Sequence, residues 1–80
     1  MWIGTEEGKL LNLDQVKFIY CQQQYGDNKR AKYAWVADLD TSYDIPISFF
    51  DTEEEGREKR IELINIIGRS VGIEIVTQKK

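Results

Sequence analysis

The stretch Phe50-Asp51-Thr52-Glu53-Glu54-Glu55 divides the chain into two kinds of pattern. Upstream of it, apolar residues tend to alternate, as they do in strands. Downstream, they recur at helical spacing. Asp51 and Thr52 are both favourable N-cap residues, because a short side-chain oxygen can accept from the free amides of a first helical turn. Thr52 with Glu55 fits the capping box. Glu53, Glu54 and Glu55 then fall where the positive end of the helix dipole favours carboxylates. A divalent-cation site is the other way to read such an acidic run, but helix capping alone accounts for the residue choice.

Working forward, the pattern predicts a helix from about 53 to 69. At about 100° per residue, Arg57, Ile61, Ile64, Gly68 and Val71 cluster, with Leu63, Ile67 and the stem of Arg60 beside them. The helix is therefore expected to pack through Ile61, Ile64, Leu63 and Ile67. Its partner is expected to be a sheet face carrying some of Val16, Phe18, Trp35 and Ile47. Ile66 falls outside this stripe and is a candidate interface residue. Gly68 or Gly72 can supply the C-terminal cap. Residues 72–76 read as a short final strand, able to pair with its own sheet or with a neighbour's.

Working backward, residues 43–50 form a strand with Ile45, Ile47 and Phe49 on one face. Pro46 lacks an amide hydrogen, which suits an edge strand or a bulge. Residues 31–39 place Tyr33, Trp35, Ala37 and Leu39 on one face. Residues 15–23 place Val16, Phe18 and Tyr20 on one face and Ile19 and Cys21 on the other. Residues 2–5 and 9–13 form a hairpin around Glu6-Glu7-Gly8-Lys9, where glycine supplies a positive φ. The fold class is α+β: an antiparallel β-meander of four to five strands packed on one C-terminal helix, with a short final strand.

Two stretches carry a resemblance. Gly8-Lys9-Leu10-Leu11-Asn12-Leu13-Asp14-Gln15-Val16 is similar to a G-x-x-I-N-L-x-x-V opening. Phe50-Asp51-Thr52-Glu53-Glu54-Glu55 is similar to an F-x-T-x-E-E-A helix start, with Gly56 in place of the alanine. Together they resemble small bacterial and phage-encoded proteins of unknown function. The resemblance implies a fold and a bacterial or phage setting, and it carries no catalytic residue across.

The 80 residues are enough for one domain, over residues 1–80. With 41% hydrophobic and 31% charged residues, the composition is that of a folded, soluble domain. The net charge of −3 argues against a broad nucleic-acid-binding face. One cysteine and no histidine leave no disulfide framework and no ordinary zinc ligand set. No apolar run approaches the ~20 residues that span a bilayer. No leader pattern opens the chain, so a cytoplasmic location is expected.

Lys29, Arg30 and Lys32, with Tyr25, Tyr33 and Trp35 nearby, form the one basic cluster interleaved with aromatics. It could contact phosphate or a single strand, although such runs are usually solvated hairpin tips. Asp38, Asp40 and Asp44 surround a turn without the spacing of a calcium loop. Cys21 has no histidine to serve as its base. The expectation is a non-enzymatic protein-interaction module or accessory subunit without cofactor or metal, with a protein partner that includes a second copy of itself. The alternative is a nucleic-acid-binding accessory protein using residues 29–32.

Overall fold

The structure is a computed structural model, and it describes residues 1–24, 31–39, 43–67 and 73–76. In chain order the strands β1 (Trp2–Gly4) and β2 (Leu10–Asn12) precede a 3-10 turn at Leu13–Gln15. Strands β3 (Val16–Gln23), β4 (Tyr33–Leu39) and β5 (Asp44–Phe50) follow, then helix α1 (Glu53–Ile67) and strand β6 (Glu74–Val76). β1 and β2 pair as a separate antiparallel hairpin. The main sheet has the order β5-β4-β3-β6, antiparallel except for the parallel pair β3–β6. The architecture is thus α+β, with a mostly antiparallel sheet against one helix and β6 paired within the chain.

Local chemistry explains each junction. Gly8 has a φ of 83°, and the turn around it closes through Thr5, whose N–H donates to Lys9 O at 2.8 Å and whose Oγ1 accepts from Lys9 N at 3.0 Å. Asn12 Oδ1 accepts from Asp14 N at 3.1 Å and so starts the 3-10 turn. Thr52 Oγ1 accepts from Glu55 N at 3.2 Å, which makes Thr52 the helix cap. Asp51 acts elsewhere. Its Oδ1 accepts from Lys32 N at 3.0 Å and ties the helix entry to the start of β4. The anticipated glycine caps at Gly68 and Gly72 lie outside the described residues.

Strict alternation fails at two bulges. In the β3–β4 pairing the register shifts between Val16 and Phe18. Val16 therefore joins Ile19 and Cys21 on the helix-facing side, while Phe18 and Tyr20 face the other way. In β4–β5 the register shifts so that Trp35 opposes Ser48 while Val36 opposes Pro46. Ile45 and Ile47 consequently face the helix and Phe49 does not. The expected faces Val16/Phe18/Tyr20 and Ile45/Ile47/Phe49 are each corrected by one extra residue, because an inserted residue reverses the phase of everything beyond it. Pro46 sits both on the sheet's edge strand and beside a bulge.

The helix also turns a different face inward from the one its periodicity suggests. Gly56, Leu63 and Ile67 are buried, whereas Ile61 is 58% and Ile64 42% exposed. The cause is Gly56. A Cβ there would lie 2.5 Å from Phe50 Cε2, so only glycine lets the helix come this close. Trp35 Nε1 fixes the approach by donating to Gly56 O at 2.9 Å. That contact rotates the buried stripe from Ile61 and Ile64 onto Leu63 and Ile67. The core behind it joins hairpin residues Ile3 and Leu11 to Ile19, Trp35, Ile47 and Phe50.

Candidate functional site

α1 packs mainly over β5 and β4. Its two long flanks therefore border different ground. On the β5 side the helix is clamped to the sheet edge. The Glu6 N–H donates to Ile47 O at 2.9 Å, and Glu6 Oε1 accepts from Phe49 N. Lys59 Nζ donates to Glu6 Oε2 at 2.8 Å and to Phe49 O. The loop before β2 thus covers the outer hydrogen-bonding groups of β5, which an edge strand would otherwise offer to another chain. Below the clamp is a small cavity of ≈ 110 Å³ bordered by Gly4, Ser48, Glu62 and Ile66. Ser48 is 8% exposed, and its Oγ has no hydrogen-bond partner among the described residues.

On the β3 side the helix leaves a groove. Cys21, Trp35, Phe50 and Gly56 form its floor, with Glu53, Arg57 and Arg60 on the helix rim. Its volume is ≈ 380 Å³, and a second hollow of ≈ 360 Å³ continues it past Tyr33 and Asp51. The floor is rigid. Phe50 stacks on Tyr33 with ring centroids 5.6 Å apart and lies 5.7 Å from the Trp35 ring. Of the rim charges, Arg57 pairs with Glu53 at 3.2 Å. Arg60 is exposed and makes no ion pair among the described residues. Burial pushes the Cys21 thiol pKa up.

A third feature is the outer face of the hairpin. Ile3 and Leu11 point inward, which leaves Trp2 at 63% and Leu10 at 71% exposure on the other side. Gly4 is the registered partner of Leu10, and it borders the same cavity as Ile66. Ile66, expected to be exposed, is 49% exposed.

The basic cluster fares differently. Tyr25, Lys29 and Arg30 lie outside the described residues. Lys32 is exposed at the entry to β4, with its amide held by the carboxylate of Asp51. Trp35 is 4% exposed, and its Nε1 is committed to the Gly56 carbonyl on the helix. In the acidic turn, Asp44 accepts from Tyr20 OH at 2.6 Å. Burial, then this bond and the neighbouring charges of Asp44 and Asp38, raise the tyrosine pKa far above its ordinary value. Asp40 lies outside the described residues, and no three acidic or thiol groups among those described converge as a metal site.

Sequence reasoning reads Glu6 only as part of a turn, and it places Arg57 and Arg60 beside the core. The i,i+3 pair Gly56/Lys59 is the available signal: a small residue that draws the helix in, then a cation one turn later. No family model matches the chain, and neither a curated protein nor a solved structure matches it. Among the described residues, no helix is long and apolar enough to cross a membrane.

Proposed function

We propose that this chain is a non-enzymatic protein-interaction module, a small cytoplasmic accessory subunit of bacterial or phage setting that pairs with a second copy of itself. The carrying observation is the exposure of Trp2 and Leu10 on the outer face of the hairpin, with Ile66 exposed on the helix. Tryptophan is enriched among the residues that dominate protein contacts, and an exposed apolar patch marks such a site. The clamp on β5 argues in the same direction, because it removes that sheet edge from competition. A two-fold arrangement would bring the same patch on each copy together, the commonest closed solution for a homo-oligomer.

Sedimentation equilibrium at tens of micromolar tests this reading. The expected result is a species of twice the 9.4 kDa chain mass, shifted to one chain mass by Trp2→Ser together with Leu10→Ser. A single species at one chain mass in the unaltered protein would overturn the self-association. Ile66, like Trp2 and Leu10, would then be an ordinary exposed apolar residue.

A further inference from the structure

From the groove on the β3 side of α1 we infer a binding site for a small amphipathic carboxylate: an apolar tail carrying one anionic head. The inference is independent of the hairpin patch. A pocket of ≈ 380 Å³ is in the range that holds small ligands, which is roughly 300–1,000 Å³. Its floor of Trp35, Phe50 and Cys21 is apolar, and the one hydrogen-bonding group of the Trp35 ring is already satisfied by Gly56 O. The floor therefore asks for hydrocarbon and offers nothing to a polar tail.

The rim supplies the sign of the head. Arg57 is matched by Glu53, so that pair is close to neutral. Arg60 has no such match among the described residues and lines the same groove. In a chain of net charge −3, this rim is locally positive. A carboxylate at Arg60 would receive the planar two-point donation that guanidinium groups give. At the other end Asp51 repels an anion, so the ligand has one orientation: head at Arg60, tail running toward Tyr33.

The experiment uses decanoate, octanoate and hexanoate as probes, below their micellar concentrations, with calorimetry and with the rate of Cys21 modification by a thiol reagent. Cys21 is the only cysteine and part of the floor, so its shielding reports occupancy of this groove. Decanoate is expected to bind saturably and to slow Cys21 modification. Each loss of two methylenes should weaken binding on the order of tenfold, as burial of about 0.8 kcal/mol per methylene requires. Arg60→Glu should weaken decanoate at least about threefold with an unchanged circular dichroism spectrum. Decyltrimethylammonium, with a similar tail and the opposite charge, should not shield Cys21. Equal shielding by the cationic amphiphile, no dependence on tail length, or full decanoate affinity in Arg60→Glu would each overturn the proposal. So would binding to phosphatidylglycerol vesicles with no shielding by the free acids. The oligomeric state is read separately, so a monomeric protein that binds decanoate refutes self-association alone.

Discussion

The two flanks of α1 have similar raw materials and use them in opposite ways. On the β5 flank, Lys59 lies between the carboxylate of Glu6 and the Phe49 carbonyl, and the sheet edge is closed. On the β3 flank, Arg57 and Arg60 stand over a floor of aromatic rings without closing onto it. Both flanks carry a long cation within one turn of Gly56. The difference lies in what the sheet presents beneath. β5 is an edge strand with backbone groups to satisfy, while β3 is an inner strand that pairs with β4 along its length and with β6 over Phe18–Tyr20. The cation over the edge strand is drawn into structure, whereas Arg60 makes no ion pair among the described residues.

The largest expected effect concerns the line between the flanks. Leu63→Ala should cost about 2–5 kcal/mol, since Leu63 is 4% exposed at the centre of the interface. Ile64→Ala, one residue further round, should cost under about 1 kcal/mol. Urea denaturation of both variants checks the pair. Equal losses would mean that the helix sits as its sequence periodicity suggests and that the groove is closed in solution.

Next comes the clamp. Glu6→Ala leaves the Phe49 amide and the Lys59 ammonium without their shared acceptor, and it should cost about 1–3 kcal/mol. Part of that loss should persist in high salt, because the bond to the Phe49 amide is not an ion pair. A loss that vanishes entirely at about 1 M salt, where screening is nearly complete, would reduce the clamp to a surface charge pair.

Gly56→Ala is a sharper test of why the flanks differ. In an exposed helix the change would stabilise by about 1 kcal/mol. Here the new Cβ would meet the Phe50 ring at 2.5 Å, and that ring is held between Tyr33 and Trp35. The expected outcome is a net loss of about 1–2 kcal/mol, with overpacking outweighing propensity, and a changed tryptophan fluorescence as the displaced helix carries the residue-56 carbonyl away from Trp35 Nε1. A gain in thermal midpoint would show that the helix does not rest on Phe50.

These residues also show what is legible in the chain. The capping stretch at 50–55 is local chemistry, so the helix start and the strand before it can be read directly. The edge position of Pro46 follows from a missing amide hydrogen, which is equally local. The bulges beside Phe18 and Pro46 are tertiary, because an extra residue shows itself only against a partner strand. The inward face of α1 escapes the sequence pattern for a related reason. Periodicity weighs isoleucines above a glycine, yet contact depth is set by the smallest residue at the crossing. The Glu6–Lys59 clamp joins residues far apart in the sequence, and no pattern along the chain announces it. The groove is out of reach for the same reason, since its floor comes from β3, β4, β5 and α1 together.

The smallest expected effect is the most informative about the open flank. Arg60→Ala should change stability by about 0.5 kcal/mol or less, as should Arg57→Ala, whose partner Glu53 is itself highly exposed. A long side chain can stabilise through its methylene stem even when its charge is idle. Arg60→Met separates these contributions, since it keeps most of the stem and removes the guanidinium. If Arg60→Met and Arg60→Ala both leave the urea midpoint unchanged, neither stem nor charge holds the fold together, and the groove's positive rim is free to serve recognition. A loss above about 1 kcal/mol in Arg60→Met, beyond what an exposed charge contributes, would make the guanidinium a structural group like the ammonium of Lys59. The two flanks would then be alike, and the carboxylate site would lose the charge that gives it a head-group preference.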